Sequence, residues 1–174
     1  MSEKRLEEIR NGLVKDLEGA DLSGADLRGA DLVGANLRDV ILYGADMREA
    51  RLNGADLQDA RLNGANLEGA DLTGANLKWA SLGAANLRKA ILYEANLYDA
   101  DLSRTNLIRA NLEGADLRKA SLLKANLYVA NLIRASLEGA NLEGADLRGA
   151  KLLFITGIGY GPIAFAVVPY TSES

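Results

Sequence analysis

Two pairs of aspartates have a spacing that could do chemistry: Asp26 with Asp46, and Asp39 with Asp59, each twenty residues apart. Set side by side, two carboxylates can hold a cation or share one proton. They would have to do so unaided. The chain has no histidine and no cysteine, which removes imidazole triads, thiolate nucleophiles, disulfides and zinc sites built on those ligands. The slot that holds Asp26 and Asp46 carries asparagine as often as aspartate, ten of each, and an amide does no acid–base work. What Asp and Asn share is an oxygen that accepts a backbone N–H in a turn. A calcium-binding β-helix would show a glycine-rich nonapeptide instead. These residues are therefore expected to hold corners, with no catalytic residue, metal or cofactor.

The elements that would place them follow from one period. From position 17 to 152 every fifth residue is Leu, Met47 excepted, and from 20 to 150 every fifth is Ala, Val40 and Thr105 excepted. Asp or Asn stands between them in most units, and no insertion breaks the register. On an α-helix five residues advance about 500°, which scatters the leucines around the cylinder. In a flat strand an odd spacing sends successive leucines to opposite faces. A chain that turns sharply once per unit keeps every leucine on a common axis.

The phrases GADLSGADLRGADLVGANL and GANLEGADLTGANL resemble the pentapeptide-repeat family. The resemblance implies an all-β fold, a right-handed quadrilateral β-helix in which four units make one square coil, with Leu and the small Ala pointing inward. It covers residues 16–153 and predicts about seven coils, roughly 34 Å tall at the inter-strand spacing. Leucines twenty apart then stack, and Leu17, Leu37, Leu57, Leu77, Leu97, Leu117 and Leu137 form one core column. Met47 replaces Leu in another column, a change of nearly equal volume. Val40 and Thr105 should mark local bulges or altered turns. Gly occupies the last slot of many units, as a positive-φ turn favours. Other units place Asp59, Trp79, Lys89 or Arg134 there, which suggests two kinds of corner. Asn66, Asn86, Asn106 and Asn126 fall in one register and suggest an amide ladder.

The ends need covers, because an open coil exposes backbone groups and an apolar layer. Residues 1–15 are expected to form an N-terminal capping segment: SEKRLEEIR reads as a short helix stopped at Asn11-Gly12, with Leu6, Ile9 and Leu13 on its apolar face. Residues 154–174 lose the repeat and are apolar. They are expected either to cap the last coil or to bury themselves in an end-to-end homodimer, the cap being favoured.

The slots after Leu face outward and carry no repeat constraint. They hold Trp79, Tyr93, Tyr98, Ile108, Leu123, Tyr128, Val129 and Ile133, a zone in the middle of the chain, with Tyr43 apart. Trp79 and Tyr98 should be diagonal neighbours on one face, and Ile108, Tyr128 and Val129 should cluster on another. Exposed aromatics near Arg and Lys suit a protein-interaction surface; outward Tyr and Ile also simply suit a β-sheet.

Charge and composition narrow the function. The net charge of −4 splits into −6 over residues 17–76 and +4 over 77–136. No long like-charged run suggests direct nucleic-acid binding. MSEKRLEEIRNG lacks the apolar core of a secretory signal. The run LLFITGIGYGPIAFAVV, broken by glycines and a proline, falls short of the roughly 20 residues that span a bilayer. A soluble, cytoplasmic protein without a membrane association is expected. A filled leucine core leaves no concave site for a small-molecule substrate, so no enzyme is expected. The reading is a rigid, non-enzymatic scaffold for an unknown protein partner. The alternative, implied by the family's gyrase-targeting quinolone-resistance members, is a mimic of duplex DNA; the basic coils interrupt the negative field such mimicry needs.

Overall fold

Every unit has five backbone N–H donors to satisfy, and residues 65–69 show how this is done. Ala65 N–H donates back to Leu62 across the corner (2.9 Å). Asn66 N–H donates to Ala45 in the preceding coil (2.9 Å). Leu67 and Gly69 donate to Asn86 and Arg88 in the following coil (2.7 and 3.0 Å). The fifth donor, Glu68 N–H, has no backbone acceptor in reach and takes the Asn66 side-chain oxygen at 3.2 Å. Asp and Asn therefore do hold the corners: both Asp26 and Asp46 accept the N–H two residues on, at 3.2 and 3.3 Å. An oxygen one carbon beyond Cβ reaches this otherwise unpaired N–H, which is why the slot prefers Asp and Asn.

The computed structural model describes residues 2–153, 155 and 156. Its β-bridges are all parallel and all join residues twenty apart, from Asp16 with Asn36 to Ser136 with Thr156. Four units thus complete one circuit, and each circuit presents four walls. We number them by their first leucines: wall one from Leu17, wall two from Leu22, wall three from Leu27 and wall four from Leu32. The expected apolar tail, 154–174, lies outside the described residues except for Ile155 and Thr156.

The interior is aliphatic and solid. Leu17, Leu37, Leu57, Leu77, Leu97, Leu117 and Leu137 are buried, as is Met47. The Ala column beside them is buried through most of the rod. A buried Leu contributes roughly 1.5–3 kcal/mol of gross transfer free energy, and stacking at about 4.8 Å favours a neighbour as small as Ala. Val40 and Thr105 show what a larger residue does. Both are fully buried, and their corner bonds stretch to 3.3 and 3.2 Å where other corners have 2.9–3.1 Å. The bulge stops there. Thr105 also satisfies its hydroxyl by donating to Leu82 O at 3.1 Å.

The corners are of one kind, not two. Every last slot from Gly19 to Gly149 has positive φ, between 53° and 70°, including Asp59, Trp79, Lys89 and Arg134. The bond across the corner together with positive φ at its third residue marks a type II turn. Glycine accepts this freely; other residues meet a left-handed strain of about 1 kcal/mol. The fold imposes that conformation whatever the residue, because the leucine before and the alanine after must both point inward.

The helix α1, Glu3–Arg10, starts with the Ser2 hydroxyl accepting from Arg5 N–H at 3.3 Å. It stops in a Schellman arrangement, with Gly12 N–H to Ile9 O (3.0 Å) and Leu13 N–H to Glu8 O (2.9 Å). Ile9 is buried and Leu6 and Val14 pack against the core. Leu13, expected on the apolar face, is 76% exposed, because the helix ends before it and Val14 takes the inward position. Arg10 O and Lys15 O then accept from Asp31 and Asn36 N–H, at 2.9 and 2.7 Å, where a preceding coil would otherwise supply acceptors.

Two substitutions at positive φ should act in opposite directions. Ala84 (φ 57°) is exposed, so Ala84→Gly relieves strain and should raise stability by about 0.5–1 kcal/mol. Gly12 has φ 70°, and a Cβ there would sit 2.9 Å from Asp31 O, so Gly12→Ala should cost about 1–3 kcal/mol. Urea unfolding midpoints read both.

Candidate interaction surface

The two outward slots flanking each leucine lie on the same side of the chain, so an Asp before Leu and an Arg after it can meet. They do so at Asp26–Arg28, Asp46–Arg48, Asp116–Arg118 and Asp146–Arg148, each a two-pronged pair with bonds of 2.6–2.9 Å. The signal was in the sequence as Asp-x-Arg. With Asn before Leu the arginine turns elsewhere: Arg88 reaches Glu68 one coil away at 2.6 Å.

Asp26 and Asp46 thus face guanidinium groups rather than each other, and Arg28 Nε also lies 3.8 Å from Asp46. Hydrogen bonds from Arg28 hold the Asp26 carboxyl far below its usual range, and those from Arg48 lower Asp46. Asp59 accepts from Gln58 at 3.1 Å. An open cleft of about 460 Å³ lies between α1 and wall three, lined by Arg10, Asp26, Arg28, Gly29, Arg48 and Glu49. Asp26 and Arg28 pair across it, while Arg10 and Arg48 pair with Glu3 and Asp46 outside it. Among the described residues no three metal-ligating side chains cluster, and no helix is long and apolar enough to cross a membrane.

The eight outward residues singled out by sequence are spread over all four walls. Trp79 and Tyr98 share wall one and are joined by Lys78, whose ammonium lies 3.8 Å from the Trp79 ring centroid and 5.4 Å from that of Tyr98. Arg118 and Lys119 approach Tyr98 from the next coil, at 5.6 and 5.3 Å. Trp79 is 42% exposed although it occupies a strained corner with φ 61°. Ile108, Tyr128 and Val129 lie on wall three, where Arg148 stands 5.9 Å from the Tyr128 ring. Leu123 is alone on wall two. Tyr93 and Ile133 are on wall four, two coils apart, and a hydrogen bond to Glu94 raises the Tyr93 phenol above its ordinary range. The amide ladder is mostly absent: Asn86 donates to Asn66 at 3.0 Å, while the oxygens of Asn106 and Asn126 serve their own corner N–H groups.

Four-cornered coils with a filled aliphatic interior and flat displaying walls define a solenoid repeat protein. The family profile for pentapeptide repeats matches in 8 copies, over residues 16–54, 50–88, 70–107, 95–128 and 125–154. The chain belongs to the pentapeptide-repeat family, whose members form right-handed quadrilateral β-helices. It is similar to HetL, a pentapeptide repeat protein involved in heterocyst differentiation regulation from the cyanobacterium Nostoc sp. strain PCC 7120. That match has 37% identity over 79% of this chain and 74% of that one, with a TM-score of 0.41. Rfr23 from the cyanobacterium Cyanothece 51142 is 42% identical over 55% of this chain and 65% of its own, with a TM-score of 0.53. QnrB1, a plasmid-mediated fluoroquinolone resistance protein, shares the fold at 23% identity, 82% and 85% coverage and a TM-score of 0.52. No protein of curated function matches the chain.

The Asp–Arg forks give a pH test. Hydrogen bonds from Arg148 lower the Asp146 carboxyl to about 2. A folded pKa below the unfolded one stabilises the fold above about pH 4, and the contribution fades as pH falls through about 2. In Arg148→Gln the Asp146 titration, followed by carboxyl NMR, should move back up toward the ordinary value of 3.8; an unchanged curve would mean that the fork is not what depresses it.

Proposed function

We propose that the protein is a rigid, non-enzymatic scaffold that binds a protein partner through its walls. The observation that carries this is the wall-one cluster: Trp79 stands exposed at a corner that favours glycine, stacked under Lys78 and beside Tyr98 with its own cations. Aromatic and cationic side chains held on a stiff backbone lose little entropy on binding, the property of interface anchors. The filled interior supports the absence of an enzymatic role, since substrate sites are concave. The domain plan is a capping segment at 1–15, a β-helix of about seven coils at 16–153, and a tail at 154–174 that caps the rod or pairs it end to end. Tyr93, Ile108, Leu123, Tyr128, Val129 and Ile133 extend the candidate surface to the other walls. A soluble, cytoplasmic setting fits the charged exterior, with no membrane, cofactor or small-molecule substrate invoked.

Affinity capture with the wild type and with a Trp79→Ala/Tyr98→Ala/Tyr128→Ala variant tests this. The variant should lose specific partners; identical partner sets would leave the aromatics as wall covering.

Mimicry of duplex DNA toward gyrase is the second reading, favoured by the −6 balance of residues 17–76. The +4 balance of residues 77–136 and the Asp–Arg forks weigh against it, because a mimic needs an unbroken negative field. The protein should leave gyrase supercoiling unchanged in a purified assay, and clear inhibition or protection would favour mimicry.

A further inference from the structure

Charge is unevenly placed around the rod as well as along it. Residues 84–89, 104–109 and 124–129 build wall three and its leading edge over three successive coils, and they contain no Asp or Glu. They carry Arg88, Lys89, Arg104, Arg109 and Lys124. Arg88 is paired with Glu68; the other four are exposed and form no ion pair among the described residues.

These four cations stand in corner slots with φ of 57–59°. Lower on the same two edges the slot is mostly glycine: Gly24, Gly44 and Gly64 on one, Gly29 and Gly69 on the other. A lysine or arginine there adds nothing to the core and strains the corner, so whatever its side chain contributes lies outside the rod. Between the two cationic edges lie Ile108 and Tyr128, and Val129 continues the edge of Lys89 and Arg109; Tyr128 and Val129 are 44% and 39% exposed. Asn106 and Asn126 spend their oxygens on Ile108 and Tyr128 N–H, at 3.2 and 3.1 Å, and their amide N–H groups have no acceptor among the described residues. The patch is all donors and cations around an apolar centre.

Its limits say what it fits. Three rungs span about 10 Å. Below stand Glu68 and Asp46, and above stands Asp146 in its fork with Arg148. A nucleic-acid strand needs a continuous cationic track, and here charge-cancelled arginine–carboxylate pairs end it on both sides. An apolar centre inside a charged rim is the layout of a protein contact. We infer that wall three over residues 84–129 docks an acidic protein segment whose carboxylates meet Lys89, Arg104, Arg109 and Lys124 and whose apolar side chain covers Ile108, Tyr128 and Val129. This rests on the scaffold reading and assigns it a wall and a partner chemistry.

The probe is a fluorescein-labelled peptide of glutamates around one central phenylalanine, read by anisotropy, with a short oligothymidylate of equal charge in a parallel arm. The peptide should bind the full chain, weaken as salt rises, and lose about tenfold or more in Arg109→Gln/Lys124→Gln. Arg109→Gly/Lys124→Gly should lose binding equally while unfolding no earlier than wild type, which separates a lost contact from a lost fold. Trp79→Ala/Tyr98→Ala, on wall one, should bind the peptide normally. No peptide binding, tighter binding of the oligothymidylate, or equal loss in the wall-one variant would overturn the assignment. Partner capture that still depends on Trp79 and Tyr98 while the peptide fails would sink this inference and leave the scaffold reading standing.

Discussion

Everything in this rod depends on finding acceptors for the backbone N–H groups while the chain turns a corner in every unit. Four of those acceptors are backbone carbonyls, one across the corner and three in the coils above and below. In the units with Asp or Asn before Leu the fifth is a side-chain oxygen, and the spacing admits only a short one; where Ile41, Arg51, Arg61 or Ile91 stands there, that N–H has no protein acceptor among the described residues. From this accounting come the Asp/Asn slot, the fixed circuit of twenty and the positive φ. An ordinary sheet satisfies its ladder by lengthening strands; here each strand is reduced to a single bridge, and the corners carry as much of the hydrogen bonding as the walls.

A consequence is a clean separation between what folds and what shows. Leu and Ala are prescribed and Asp or Asn is preferred before Leu, whereas the two slots after Leu answer mainly to solvent and to whatever binds there. Glycine is the unstrained choice in the second of these slots. Where the chain puts Trp79, Lys89, Arg104, Arg109 or Lys124 instead, local backbone energy is given up for something displayed outside. The Asp–Arg forks work the other way, cancelling charge on the wall and leaving the unpaired cations of the middle coils more conspicuous.

The architecture was legible because a period of five is incompatible with a helix or a flat strand and compatible with a coil of corners. The inward identity of Leu77 and Leu97 needed only that period. The corners were less legible. Glycine at Gly19 and Gly24 and its absence at Asp59 and Trp79 look like two turn types in the letters, yet all have the same sign of φ, since the geometry is dictated by the inward neighbours and not by the corner residue. The surface was legible in part. Lys78 bridging Trp79 and Tyr98 follows from adjacency, but the wall-three cations escaped a count made along the chain, because Arg104 and Lys124 become neighbours only when residues are laid out twenty to a row. The position of Leu13 was missed for a different reason: helix termination decides which side chain turns inward, and one residue's shift exchanged Leu13 for Val14.

The uniform circuit of twenty has a bearing on how such a chain can change length. Removing or duplicating one complete circuit leaves every later residue on its original wall. Removing a single unit of five leaves the aliphatic column equally well filled, yet rotates the whole remainder of the rod by a quarter-turn against what precedes it. Arg104 and Lys124 would then look out in a new direction relative to Trp79, with no loss of packing to betray the change. In this architecture the phase between two surface features is an inheritable property in its own right, adjustable in steps of one corner and almost invisible to the core.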